Sequence, residues 1–251
     1  MRVFDHLTTA AILAAAFPLR AAAQTPGEPT KPPLSVTGGT SLVSQYRFRG
    51  ISLSDEKAAV QGTINLTHRS GAYAGAWASS LDGFGELGGS NLELDLYGGY
   101  KLPVGKATLD AGLLYYAYPG SKGGTFEFFE PYANVSFPVG PATTKVGAAF
   151  APAQKAIGGN SNLYLFNDTS LPIAGTPVSL TGHVGWSKGD TTLTPGGSYL
   201  DWSLGAAASW RNLTAGIAYV DTDIGAADAR RAGATKTIVD GAVVLSLGAS
   251  F

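Results

Sequence analysis

Arg47 and Arg49 are separated by one residue, as are Glu93 and Asp95. Side chains two apart share one face of a β-strand, so each pair would present two like charges to a single surface. With Asp110, Lys145, His183, Asp201 and Asp240 they could form a wall of both signs. Such a wall can sort small ions and polar solutes by its field, but it does not by itself break a bond. The groups needed for covalent chemistry are sparse: there is no cysteine, and the three histidines are His6, His68 and His183. A serine nucleophile needs a base within hydrogen-bond reach, and the sequence is read as holding neither a nucleophile elbow nor a cluster of metal ligands. An enzyme is not expected. A lipid hydrolase built on His183 is the catalytic alternative, and no cofactor is implied.

The elements that must hold these residues are read from the rest of the chain. Arg2 precedes an apolar run, Leu7 to Leu19, followed by Ala21-Ala22-Ala23. The run is too short to cross a hydrocarbon core as a helix, and its small-residue end suits signal peptidase. Residues 1–23 are therefore read as a removable secretory signal, cleaved before Gln24. Its loss takes Arg2, Arg20 and Asp5 from 17 basic and 18 acidic residues and leaves a net charge of −2. No basic run could track phosphates, so no nucleic-acid partner is expected. Without cysteine, an exported chain cannot rest on disulfides. Residues 24–34 are a proline-rich periplasmic leader, and residues 35–251 are one domain.

A content of 34 Gly, 11 Tyr, 11 Phe and 14% charged residues suits an all-β protein. From Ser35 onward, segments of about ten residues alternate apolar and polar side chains, the period of strands with one apolar and one wet face. Leu92, Leu94, Leu96 and Tyr100 oppose Glu93, Asp95 and Tyr97. Val178, Leu180, Val184 and Trp186 oppose Ser179, Thr181, His183 and Ser187, and Leu200, Trp202 and Leu204 oppose Asp201, Ser203 and Gly205. A soluble sandwich would alternate in the same way, so the connections decide. Longer ones (51–58, 81–90, 119–125, 152–160, 188–198 and 222–236) alternate with tight ones (69–71, 102–105, 138–141, 172–177 and 211). This is the layout of a transmembrane antiparallel up-and-down β-barrel of about twelve strands, with short periplasmic turns and longer extracellular loops. Three tight links repeat one another: Leu102-Pro103-Val104-Gly105, Phe137-Pro138-Val139-Gly140 and Leu171-Pro172-Ile173-Ala174-Gly175. In each, proline is expected to end the ladder and glycine to turn the chain. The last strand places Val243, Leu245, Leu247, Ala249 and Phe251 on alternate positions, an ending that resembles the signal read by the outer-membrane assembly machinery.

Several runs carry a family resemblance. Ser44-Gln45-Tyr46-Arg47-Phe48-Arg49-Gly50-Ile51-Ser52, Ala59-Val60-Gln61-Gly62, Tyr73-Ala74-Gly75-Ala76-Trp77-Ala78-Ser79, Glu93-Leu94-Asp95-Leu96-Tyr97-Gly98-Gly99-Tyr100 and Leu114-Tyr115-Tyr116-Ala117-Tyr118-Pro119-Gly120 resemble the TorF-family porins of Gram-negative bacteria. The resemblance is strongest over residues 36–137. It implies a barrel in the bacterial outer membrane, surrounded by outer-membrane lipid, with a transport role.

On parity, Leu42, Tyr46 and Phe48 would face lipid, which turns Arg47 and Arg49 into the lumen. Glu93, Asp95, Asp110, Lys145, His183, Asp201 and Asp240 point inward by the same rule. A basic residue on the lipid face near the midplane would cost roughly 2–4 kcal/mol. Twelve strands lie between the barrels that side chains fill and the porins with open water channels. The expected channel is narrow, with Arg47 and Arg49 facing Glu93 and Asp95 across a constriction for small polar or ionic solutes. Alternatively, these charges pair with one another and plug the barrel. Trp77, Trp186, Trp202, Trp210, Tyr115, Tyr116 and Tyr118 are expected near strand ends as an interfacial girdle, the sharper alternative being an aromatic sugar slide in the pore. A structural or adhesive barrel working through loops 81–90 and 222–236 is a third reading.

Overall fold

The computed structural model describes residues 33–251 except 83–85, 232–234 and 236. The expected signal peptide, His6, most of the leader and parts of loops 81–90 and 222–236 lie outside the described residues. The strands are β1 Leu34–Val43, β2 Arg47–Phe48, β3 Ile51–Ser52, β4 Ala59–His68, β5 Ala72–Ser80, β6 Leu92–Val104 and β7 Ala107–Ala117. They continue with β8 Phe128–Val139, β9 Ala142–Ala151, β10 Asn162–Pro172, β11 Val178–Lys188, β12 Ser198–Trp210, β13 Leu213–Thr222 and β14 Ala242–Ser250. Apart from β2 and β3, every strand pairs antiparallel with its neighbour in the sequence. β14 returns to β1 with Leu42 opposite Leu247, so the described strands close into a barrel of twelve. Beyond β14, Phe251 N donates to the Gly38 carbonyl at 2.9 Å and Gly38 N to the Phe251 carbonyl at 3.1 Å. Closure leaves no sheet edge with unpaired backbone groups. No described helix is long and apolar enough to cross a membrane.

A single closed sheet has one enclosed side, so burial sorts the two faces. Leu96, Leu180, Val184, Leu200 and Leu204 are exposed, while Glu93, Asp95, Ser187 and Asp201, on the opposite parity, are buried. The alternation read from the sequence is therefore an apolar outer belt and a polar inner wall. Large inner side chains fit because glycines on neighbouring strands leave room for them. A Cβ on Gly185 would lie 2.1 Å from Tyr164 Oη, and one on Gly147 would lie 2.4 Å from the Phe166 ring.

The tight turns fall where the sequence puts them, with one correction. Pro103 and Pro138 do not end their ladders but sit within β6 and β8, opposite Thr108 and Thr143. The chain turns at the next glycines, Gly105 with φ 62° and Gly140 with φ 59°, each opening a two-residue hairpin loop of the kind that takes glycine first.

The larger correction concerns residues 44–58, of which 45–54 are the enclosed part. β1 stops at Val43, and the following segment leaves the wall and folds into the barrel at the long-loop end, where β2 and β3 form a small hairpin of their own. Arg49 and Gly50, with φ 48° and 82°, form its turn, matching the two positive φ angles of the type I′ geometry. Tyr46 and Phe48 consequently do not face outward. They are buried in an aromatic cluster with Trp77, Tyr116, Phe128 and Tyr164. In a wall strand alternate residues see opposite environments, but in a hairpin enclosed by the wall both parities are covered. The connection before β14, which contains the helix α1 Ala226–Arg231, covers the hairpin from above. Its Ile224, Ala229, Ile238 and Val239 pack with Tyr199, and Ile51 of β3 lies against them.

Candidate functional site

The enclosed charges form four groups along the barrel, one of them the adjacent carboxylates Glu93 and Asp95 of β6. At the long-loop end, Arg49 donates through Nη2 to both Glu130 oxygens, at 2.8 and 2.7 Å. Its guanidinium lies 4.0 Å from the centre of the Tyr164 ring. Tyr116 donates its hydroxyl to Glu130 Oε2 at 3.1 Å, and Tyr199 donates to the Arg49 carbonyl at 3.2 Å. Arg47 stays within its own segment, donating from Nε to Gln45 Oε1 at 2.8 Å and from Nη1 to the Gly50 carbonyl at 2.7 Å. Both arginines are thus inside the barrel as expected, but they are carried there by the inward hairpin and not by a wall strand. Neither is paired with Glu93 or Asp95. Arg49 is matched to Glu130, because the hairpin tip crosses the lumen before its side chain reaches a wall.

At mid-barrel, Lys145 Nζ lies 2.8 Å from Asp168 Oδ2. His183 sits between two carboxylates, with Nδ1 2.6 Å from Asp168 Oδ1 and Nε2 2.9 Å from Asp201 Oδ1. Tyr164 Oη is also 2.9 Å from Nε2. The expectation of an isolated His183 on the lumen face is corrected: flanking strands β10 and β12 each bring it an aspartate. Nearer the short-turn end, Tyr73 donates to Asp110 Oδ1 at 2.6 Å and also bonds the Tyr132 hydroxyl.

Three further expectations change. Asp240 is not on a barrel strand; it is half-buried in the connection ahead of β14, within electrostatic range of Arg47. Trp77, Tyr116 and Tyr118 are buried inside, whereas Tyr115 and Trp210 are exposed on the outer face. An outer girdle therefore contains only part of the expected set. The run Gly185-Trp186-Ser187-Lys188-Gly189 does have Gly-x-Ser-x-Gly spacing, contrary to the sequence reading. Ser187 nevertheless lies within β11, not on a strand-to-helix elbow. Its hydroxyl bonds Thr194 at 3.0 Å and accepts from Asn162 at 3.3 Å, while His183 engages Asp168, Asp201 and Tyr164.

Sequence reasoning missed Glu130, Asp168 and Lys101 among the enclosed charges. Their parity was the available signal: Glu130 alternates with the buried Phe128 and Tyr132, Asp168 with Tyr164 and Phe166, and Lys101 with Glu93 and Asp95. Among the described residues, the enclosed carboxylates Glu93, Asp95, Asp110, Glu130, Asp168 and Asp201 outnumber the cations Arg47, Arg49, Lys101 and Lys145, even when His183 is added to the latter. Outside the barrel wall, Lys57 is 2.6 Å from Asp82 and 3.3 Å from Asp55. Hydrogen bonds to these two carboxylates, Asp82 first, hold the Lys57 ammonium above its ordinary pKa.

The chain belongs to the Gcw_chp family, described as bacterial proteins of unknown function, whose signature spans residues 27–251. No curated protein matches it in sequence. Among solved structures, the NanC porin shares the fold at a TM-score of 0.55 with 11% identity, over 86% of this chain and 99% of that one. The KdgM porin, in complex with disordered oligogalacturonate, gives a TM-score of 0.53 with 6% identity, over 86% of this chain and 98% of that one. An outer-membrane channel from Pseudomonas putida F1 gives 0.50 with 10% identity, over 91% of this chain and 99% of that one.

Proposed function

We propose that this member of the Gcw_chp family is a porin-like channel of the bacterial outer membrane that passes small polar or ionic solutes. The observation that carries this reading is the closed barrel with an apolar outer belt and an inner wall in which carboxylates outnumber basic groups. The resemblance to TorF-family porins and the shared fold with outer-membrane porins support it. In this reading, residues 1–23 direct export, the short turns lie in the periplasm, and β14 with Phe251 is the strand read by the assembly machinery.

The inner hairpin shapes how such a channel works. Its aromatic packing fills the long-loop half, so conduction requires residues 44–58 to move or solutes to thread past them. The same packing favours a second reading, a permanently closed structural barrel.

Single-channel recording decides between them. The exported full-length protein, purified from membranes and inserted in a planar bilayer under a salt gradient, should give small discrete steps. Replacing residues 45–57 by a short Gly-Ser linker should enlarge the steps. A folded barrel that stays silent even without the hairpin would reject the channel reading in favour of the closed barrel.

A further inference from the structure

We propose that Glu93 and Asp95, together with the hydroxyls of Tyr46 and Tyr118, bind a hard divalent cation of the calcium type, which ties the inward segment to the barrel wall. Glu93 and Asp95 project from β6 into the interior two residues apart, with 0% and 1% of their surfaces exposed. Glu93 meets no donor beyond the phenols of Tyr46 and Tyr118, and Asp95 Oδ1 has no hydrogen-bond partner. Tyr46 arrives from the inward segment, on an element independent of β6. It is 1% exposed, and its hydroxyl has no partner other than Glu93. Tyr118, just beyond β7, presents a second buried phenol to the same carboxylate.

The neighbouring cations are committed elsewhere, Arg49 to Glu130 and Arg47 to Gln45 and the Gly50 carbonyl. Two enclosed carboxylates without a paired counter-charge are strongly unfavourable as anions. One divalent ion would neutralise both. The donors are all oxygen, which suits calcium or magnesium better than softer metals. With two carboxylates, the remaining positions would fall to neutral oxygens at irregular angles. Calcium accepts such a set more readily than magnesium, which demands near-ideal octahedral geometry. The wall supplies the carboxylates and the inward segment supplies Tyr46, so the ion would fasten one to the other. This inference does not depend on whether the barrel conducts.

Terbium luminescence tests it. The Tyr46 ring lies 5.3 Å from that of Trp77, so ultraviolet excitation of these rings should sensitise a Tb³⁺ ion held at Glu93 and Asp95. The exported full-length protein, purified in detergent and stripped with a chelator, should give saturable Tb³⁺ emission that Ca²⁺ displaces. The Glu93→Gln/Asp95→Asn variant, close to isosteric, should reduce apparent affinity about tenfold or more. An Asp55→Asn/Asp82→Asn variant, which alters only the loop carboxylates near Lys57, should bind as the parent does. Heat-modifiable gel migration reports whether each barrel is folded. If the double variant does not fold, Tyr46→Phe, which keeps the ring and removes one oxygen, should still weaken binding. A folded parent that takes up neither Tb³⁺ nor Ca²⁺ at millimolar concentration would overturn the proposal, as would unchanged affinity in the folded variants. So would an infrared band of protonated carboxyl groups that Ca²⁺ leaves intact and Glu93→Gln removes.

Discussion

Arg49 shows how a single residue can take on strain for the sake of a distant partner. A non-glycine residue in the left-handed region is disfavoured by roughly 1–2 kcal/mol, yet this turn places the guanidinium against both oxygens of Glu130 in an enclosed site. Arg49→Ala or Glu130→Gln should each destabilise the barrel by about 3–5 kcal/mol, because the remaining partner is left buried without compensation. Urea unfolding in detergent micelles would measure this. The double replacement Arg49→Leu/Glu130→Leu should recover part of the loss. Lys57 is the contrasting case. Its contacts to Asp82 and Asp55 lie in solvent, where screening and side-chain entropy cancel most of their benefit, so Lys57→Ala should leave the unfolding midpoint unchanged. Because its pKa is raised in the folded state, the small contribution it makes is present below the unfolded lysine pKa and is lost as pH rises through the folded one. Unfolding measured from pH 6 to 8 should show no slope from this group. Arg49 is enclosed, but not for the reason parity gave, since Tyr46 and Phe48 of the opposite parity are enclosed with it. That it meets Glu130 was not legible either, because the pairing depends on where an enclosed hairpin crosses the lumen.

At the level of elements, the wall strands were legible because each is held between two neighbours and has one apolar side. β12 shows the consequence: Leu200 and Leu204 point out, while Asp201 points in. Leu204, 70% exposed near the middle of its strand, should meet the hydrocarbon midplane in the proposed membrane setting. Leu204→Arg there should cost about 2–4 kcal/mol, read as a lower urea midpoint in lipid vesicles, whereas Ser203→Arg, on the inner parity, should cost less. Residues 44–52 escaped the same logic. Their alternation of aromatic and basic side chains mimics a wall strand, but period-2 patterning specifies only that two faces differ. It does not specify that one of them must meet the outside.

For the whole molecule, closure is the step on which the rest depends. The seam between β1 and β14 is joined by Gly39 opposite Ser250 and Leu42 opposite Leu247, and Phe251 bonds Gly38 in both directions. A Cβ on Gly38 would fall 2.6 Å from the Phe251 ring and 2.8 Å from the Thr63 carbonyl. Gly38→Val should therefore hinder closure and lower the fraction of heat-resistant, folded barrel on semi-native gels, while Thr40→Val, with its outward side chain on the same strand, should be tolerated. The sequence by itself determined an antiparallel barrel of about twelve strands, the alternation of long and short connections and the faces of the wall strands, because these follow from local periodicity and turn chemistry. Only the tertiary structure decided that residues 45–54 enter the lumen, that Arg49 pairs with Glu130, that His183 lies between Asp168 and Asp201, and that Glu93 and Asp95 are enclosed without a paired cation. The Arg49–Glu130 contact joins segments far apart in the chain and is set by where the inward hairpin crosses the lumen, whereas the contacts of His183 are set by the register of adjacent strands β10, β11 and β12.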